Sequence, residues 1–253
     1  MHESESDSRS QATSASELFD EYYLRFWEGE LADDRLKRDV GLVLELAGLR
    51  PGDRILDVAC GYGRMTNSLT VSGFDATGVD LSVFLLDEAR ARARALDVQA
   101  DFRQRDMRNL WGMDGFACAL LWFTSFGYFS DAENAQVLRQ IFGCLEPGGR
   151  LLLETRHWDR MARRFDPVTV RSKGDDFLVE YHTYDAQNGV QKSRQTLLVD
   201  GRRIERTSFV RRYGFPEMRA LALQAGFVSV RGYDENGGPL TEESDRCVLV
   251  AVK

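Results

Sequence analysis

The chain is poor in the residues that build metal centres: its 253 residues include three histidines and four cysteines. His2, His157 and His182 are isolated from one another, and Cys60, Cys118, Cys144 and Cys247 stand far apart. No pair has metal-ligand spacing, which argues against a catalytic metal and reads the thiols as small packing residues in a reducing compartment. Long apolar runs are also missing. The longest, 116–123, falls far short of the ~20 residues that span a bilayer. The stretch Met1–Ser16 is polar and lacks the apolar segment of a secretory signal. These absences predict a disordered tail over 1–16, no membrane partner and a cytoplasmic protein. Positive charge is in deficit as well, 33 Lys and Arg against 40 Asp and Glu for a net charge of −7. A nucleic-acid partner is therefore excluded, because such binding draws on basic side chains that neutralise phosphates. Arg90, Arg92 and Arg94 alternate with alanines on a helix-like stretch and read as a solvated face.

What is present suits one elaborated α/β domain. The 43% apolar and 29% charged residues are those of an ordinary folded chain with a real core. From Glu17 the pattern turns helical, with Leu18, Tyr22, Phe26 and Trp27 near one face, and a second helix follows over about 33–48. Strands are then expected at 53–58, 74–80, 98–104, 116–122 and 150–155, with helices at 63–72, 82–96 and 130–145. Ser82 caps one of these helices, and Ser130 with Glu133 forms a capping box on another. The run 116–122 is almost wholly apolar, as a strand buried on both faces near a sheet centre must be. Right-handed crossovers turn such a series into a parallel doubly wound sheet. Beyond Phe165 the texture changes. Strand-like runs over 168–213 are separated by Asn188-Gly189 and Asp200-Gly201, both hairpin signals. A helix over 216–225, stopped by Gly226, leads to strands at 227–233 and 246–252 that complete the sheet. The expected architecture is α/β, a Rossmann-like, mostly parallel seven-stranded sheet. Residues 17–165 form the N-terminal helices and ligand-binding core, 166–214 an inserted antiparallel meander that covers substrate or pairs subunits, and 215–253 the closing elements.

The stretch from Ile55 to Arg64 carries the chemistry. A strand containing Asp57 ends at Ala59, Gly61 and Gly63, which open a helix; glycines there let backbone N–H groups approach a ligand closely. Asp80 closes the next strand about 20 residues later, where a carboxylate can accept both hydroxyls of an adenosine ribose. A dinucleotide fingerprint wants a third small residue after Gly63, and Thr66 stands there instead. A buried acid at position 57 would also repel a pyrophosphate, whereas it suits the ammonium of a methionine moiety. A nicotinamide oxidoreductase is thus the weaker reading.

With these motifs in this order, residues 50 to 160 closely resemble the class I S-adenosylmethionine-dependent methyltransferases. The resemblance implies that Asp57, Ala59, Gly61 and Gly63 hold the methionine end and that Asp80 binds ribose with Leu81 packed on adenine. It implies that Asp106 accepts the adenine amino group beside the Met107 N–H, and that Phe123 and Thr124 face the methionine moiety. The aromatic N-terminal helix with Tyr22, Tyr23 and Trp27, the run Phe123 to Phe129 and the late meander look like the small-molecule N-methyltransferases of amino-sugar, natural-product and glycine type.

Methyl transfer from a sulfonium depends mainly on holding the acceptor lone pair in line, so orientation residues are the natural search target. The candidates are Tyr22 and Tyr23, Tyr128 and His157, with Trp27 among the cofactor contacts. Adjacent tyrosines on a helix point in different directions, so one of Tyr22 and Tyr23 serves packing only. His157 is either a base or a helix-start residue, His182 is structural or lining, and His2 is discounted. Cys60 reads as packing, because neighbouring acids raise a thiol pKa. The expected function is methylation of a small amine. Methylation of a hydroxyl or carboxyl is the near alternative, and a non-catalytic protein that binds the same cofactor is an alternative of another kind. A homo-oligomer is a further expectation, from the meander's edge strands.

Overall fold

A computed structural model describes residues 12–31 and 33–253. Two short helices, α1 (Ala15–Leu18) and α2 (Glu21–Trp27), precede a single 3-10 turn and α3 (Asp33–Ala47). The core then alternates β1 (Arg54–Val58), α4 (Arg64–Val71), β2 (Asp75–Asp80), α5 (Val83–Ala95), β3 (Asp101–Gln104), β4 (Phe116–Leu121), α6 (Asp131–Cys144) and β5 (Leu145–Arg156). After α7 (Trp158–Arg163) come β6 (Val168–Lys173), β7 (Asp176–Asp185), β8 (Val190–Val199) and β9 (Arg202–Arg211). The chain closes with α8 (Phe215–Ala225), β10 (Ser229–Tyr233) and β11 (Arg246–Val252).

The main sheet has seven strands in the order β10-β11-β5-β4-β1-β2-β3, with only β11 running against the rest. Alternate residues of its central strands feed opposite faces. Leu56, Val58, Ala119, Leu121, Leu151 and Leu153 pack with α6 and α8 through Val137, Leu138, Ile141 and Ala222. Ile55, Cys118, Leu120 and Leu152 pack with α3 and α4 through Val43, Met65 and Leu69. Burial on both faces explains why these strands read as continuous apolar runs. The capping box of Ser130 and Glu133 is formed, and Ser82 caps α5 through the Leu85 N–H at 3.2 Å.

The four strands β6 to β9 form a separate antiparallel sheet in sequential order. Asp200 and Gly201 both adopt positive φ, 49° and 73°, as the tight turn between β8 and β9 requires. Leu178, Leu197 and Val199 on its inner face receive Phe26 of α2. Val170, Phe177 and Tyr181 are left exposed on the other face.

Several expectations are corrected. The tail is shorter than 1–16: Thr13 exchanges hydrogen bonds with Thr207, and Ala15–Leu18 is helical, while 1–11 lie outside the described residues. The helix expected to run on from Glu17 is broken at Asp20, whose carboxylate caps α2 through the N–H groups of Tyr22 and Tyr23. β3 begins at Asp101 rather than at 98. β5 starts at Leu145, because a shift of register between Phe116 and Cys118 lets the Pro147–Gly149 segment continue the strand. All four cysteines are buried and unbridged. No helix among the described residues is long and apolar enough to cross a membrane.

Leu152 is fully buried in the cluster between sheet and α3. Leu152→Ala is expected to lower stability by about 2–5 kcal/mol, read as a shift of the urea midpoint without change of slope.

Candidate active site

The sheet order reverses between β1 and β4, and ligands of open α/β sheets bind beyond the strand ends at such a point. There β1 leads into a turn in which Ala59, Gly61 and Gly63 all have positive φ, 57°, 54° and 75°. A Cβ on Gly63 would sit 2.8 Å from Ala89 and Phe102, so this glycine lets α4 and α5 close against the turn. At Gly61 the nearest atom to such a Cβ, on Leu85, is 4.0 Å away, which leaves room for a ligand above the turn.

Asp57 lies under this turn, 2% exposed, with Thr66 Oγ1 donating to its Oδ2 at 2.7 Å. Burial pushes its pKa up to about 6, opposed by the Thr66 hydrogen bond and the charge of Arg64. Asp80 is anchored from below, Oδ2 by the Gly61 N–H at 2.9 Å and Oδ1 by the Ser82 N–H at 2.8 Å. Burial raises its pKa as well, against the pull of these N–H groups. The two acids bracket the glycine turn. Arg64, first residue of α4, donates from Nη1 to Asp39 at 3.0 Å, while its buried Nη2 has no hydrogen-bond partner among the described residues. The indole N–H of Trp122 is buried and unpartnered in the same way, and both residues line the cavity.

The opposite wall is the end of β4, where Phe123 and Thr124 also hold positive φ, 60° and 62°. For residues with side chains this costs on the order of 1–3 kcal/mol each, so surrounding contacts must enforce it. Glu154 of β5 does so. It is almost fully buried, its Oε2 accepting the Phe123 N–H at 2.7 Å and its carbonyl the Thr124 N–H at 3.0 Å. Arg246 of β11 pairs with the Glu154 carboxylate and donates to Thr124 Oγ1 at 3.0 Å.

These walls enclose a cavity of about 360 Å³. The N-terminal helices close one side: Ser82 Oγ donates to the Phe19 carbonyl at 2.7 Å, Arg92 pairs with Glu28 at 2.7 Å, and Arg206 of the meander pairs with Asp20. Phe19 packs edge-on against Tyr23 and Tyr128, with ring centres 5.1 and 5.5 Å apart. The inner face of the meander forms the roof through Thr169, Arg171, Glu180, His182, Gln191 and Arg212.

Of the residues expected from sequence, the cavity brings together Tyr23, Trp27, Asp57, Ala59, Gly61, Asp80, Leu81, Asp106, Met107, Phe123 and Tyr128. Three do not reach it. Tyr22 turns away to the cluster of Phe26 and Leu178, as the packing partner of the tyrosine pair. Gly63 serves the turn from behind. His157 is buried at the start of α7, its Nδ1 3.2 Å from the Ser244 carbonyl and its Nε2 3.4 Å from Asp159, so it is a helix-start residue and not a base in the chamber. Asp106 lines the cavity but is gripped by Arg108, with 2.7 Å between Oδ2 and Nη2, which holds its pKa below the usual carboxylate range. Burial, Asp57 and Asp80 raise the Cys60 thiol pKa, in keeping with a packing role. Sequence reasoning missed Arg64, Glu154, Arg246 and, apart from His182, the meander's polar residues. An acid directly following the apolar run Leu151 to Leu153 was the available signal for Glu154; Arg246 left none.

Residues 55–149 match the family described as "Methyltransferase domain". A "Putative methyltransferase" of Geobacillus sp. (strain WCH70) is 32% identical over 142 residues, 56% of this chain and 58% of that protein. The chain thus spans little more than half the length of this relative. Among solved structures, an S-adenosylmethionine-dependent methyltransferase from Clostridium acetobutylicum ATCC 824 is similar in fold, with a TM-score of 0.76 at 16% identity over 91% of this chain and 96% of that one. A sugar N-methyltransferase from Streptoalloteichus sp. ATCC 53650 gives 0.70 at 21% identity over 96% and 95%. Residues 55–149 are thus similar to methyltransferase domains, and the fold is similar to that of solved S-adenosylmethionine-dependent methyltransferases. The residues present fit S-adenosylmethionine as a donor: Asp57 would answer its ammonium, the unpartnered Nη2 of Arg64 its carboxylate, and the remaining lone pairs of Asp80 its ribose hydroxyls.

An Asp57 that is to receive a cationic amino-acid end must be ionised. With a free-protein pKa of about 6, affinity for S-adenosylhomocysteine is expected to be flat above pH 7 and roughly tenfold weaker at pH 5, as protonation competes. Calorimetric titrations at several pH values check this, and Asp57→Asn is expected to bind weakly with that dependence abolished.

Proposed function

We propose that the chain moves a methyl group from S-adenosylmethionine to a small molecule, and that the acceptor atom is an amine nitrogen. The donor supplies an electrophilic methyl on a sulfonium, and the residues of this chain hold, orient and shield the partners.

The observation that carries the amine reading is the commitment of the chamber's histidine to a hydrogen-bond network, with Asp166 left as an exposed lining carboxylate that accepts the Val168 N–H. His182 is the histidine that lines it, and burial lowers its pKa. Its Nδ1 is 2.8 Å from Ser193 Oγ and 3.1 Å from Gln191 Nε2, and its Nε2 is 3.1 Å from Thr169 Oγ1. Thr169 passes the chain on to Glu180 at 3.2 Å. A neutral ring with its proton on Nε2 satisfies every link, because Gln191 can only donate from that nitrogen and Glu180 can only accept. The lone pair on Nδ1 is then occupied. Burial keeps the hydroxyls of Tyr23 and Tyr128 protonated by raising their pKa. A neutral amine brings its own lone pair, so a chamber that approximates and orients suffices. A hydroxyl acceptor gains more from a base, whose contribution is typically ~10²–10⁴-fold.

Tyr23, Trp27 and Tyr128 supply aromatic walls beside the donor site, where ring faces can stabilise a sulfonium or an ammonium. The likeness in fold to a sugar N-methyltransferase supports the same direction.

Labelled S-adenosylmethionine incubated with matched panels of amines, alcohols and carboxylic acids tests the reading, with turnover expected on amines. His182→Asn is expected to reduce turnover by less than tenfold. Transfer confined to hydroxyl or carboxyl acceptors, with a loss of 100-fold or more in His182→Asn, would support O-methylation. Tight donor binding without turnover on any panel would favour the non-catalytic alternative.

A further inference from the structure

The part of the cavity roofed by the meander contains a guanidinium with no acid to match it. Arg212 follows β9, is largely buried, and donates from Nε to Gln191 Oε1 at 2.9 Å. Its backbone N–H is fixed to the Gly189 carbonyl at 2.8 Å. Among the described residues it forms no ion pair. Four other arginines that line or brace the interior are matched, Arg64 by Asp39 at 3.0 Å, Arg171 by Glu180 at 3.6 Å, Arg206 by Asp20 and Arg246 by Glu154, whereas the lining residues Arg105, Arg156 and Arg164, which form no ion pair among the described residues, are exposed to solvent. Glu180 is committed elsewhere, since it accepts from Gln195 at 2.9 Å and from Thr169 besides pairing with Arg171. His182, whose pKa burial lowers, lies between Glu180 and Arg212 along the network. Arg156 also lines the cavity and adds like charge to Arg212.

Taking a guanidinium out of water without a counter-charge is unfavourable, so such an arrangement is stable in use only if something else brings the negative charge. With Nε tied to Gln191, the two remaining nitrogens form a planar fork of the kind that receives carboxylate or phosphate oxygens. The Tyr128 hydroxyl, which burial keeps protonated, lines the same cavity and feels the charge of Arg212. Asp57, Asp80 and Arg64 already answer the charges of the donor, so the unmatched charge falls to the acceptor.

We propose that Arg212, seconded by Arg156, receives an anionic oxygen group on the acceptor, so that the molecule methylated is an amine bearing a carboxylate or a phosphate. The word acceptor rests on the methyl-transfer reading above; the anion site itself rests on Arg212.

The test is titration of benzoate, phenyl phosphate and the neutral benzamide into the protein, both free and saturated with S-adenosylhomocysteine, for wild type, Arg212→Met and Arg212→Gln. At least one anion is expected to bind wild type ten or more times more tightly than benzamide, and whichever does so distinguishes carboxylate from phosphate. Both variants are expected to lose that preference while keeping the melting temperature and holding S-adenosylhomocysteine within about twofold of wild type. Anions that bind wild type no better than benzamide, or a preference that survives in both variants, would overturn the proposal. Failure of S-adenosylhomocysteine to bind wild type would instead remove the methyl-transfer reading, while the free-protein titrations still report on Arg212.

Discussion

An aspartate sealed beneath a glycine turn is the constraint on which the rest of the site depends. Burying a carboxylate with one hydroxyl partner and no direct counter-ion is unfavourable, and the raised pKa of Asp57 expresses that cost. On the proposed reading, the cost is recovered when the donor's cationic end binds above the turn. Left-handed conformations at Ala59, Gly61 and Gly63 bend the chain away from the strand, and Asp80 fixes the turn by accepting the Gly61 N–H. The same contact orients Asp80 for a second partner. A single local geometry thereby places two acids and an arginine around one opening.

The far wall is enforced by chemistry of the same kind. Two consecutive non-glycine residues in left-handed conformation at the end of β4 would relax without help, and the buried Glu154–Arg246 pair supplies it. Arg246 comes from the antiparallel strand β11, so the last element of the chain braces a turn in its middle. Opposite this wall, α1 and α2 are tied both to the core, through Ser82 and Arg92, and to the meander, through Arg206. The cavity is therefore a joint product of all the layers, walled by the core, the N-terminal helices and the meander together.

The core was legible in the sequence because its signals are local and repeated. Apolar runs buried on two faces, the Ser130–Glu133 box, the hairpin dipeptides and the acid–glycine–acid spacing of Asp57, Gly61 and Asp80 each depend on nearby residues. The acceptor half was less legible, since its groups meet only across distant elements. His157 looked suitable from its place after a strand, yet the strand end turns it toward Ser244 and Asp159. Thr66 read only as a departure from a dinucleotide pattern, whereas in three dimensions it supports Asp57. Arg212 carried no pattern at all, because what singles it out is the lack of an acid beside it.

The central claim is that the acid at 57 and the acid at 80 hold opposite ends of one sulfonium nucleoside across the turn. A crystal structure of the chain with S-adenosylhomocysteine tests it most directly. The account predicts the amino group over the glycine turn near Asp57, the carboxylate on Arg64 Nη2 and the ribose hydroxyls on Asp80. A nucleoside bound in the reverse direction, or outside the crevice between β1 and β4, would contradict it.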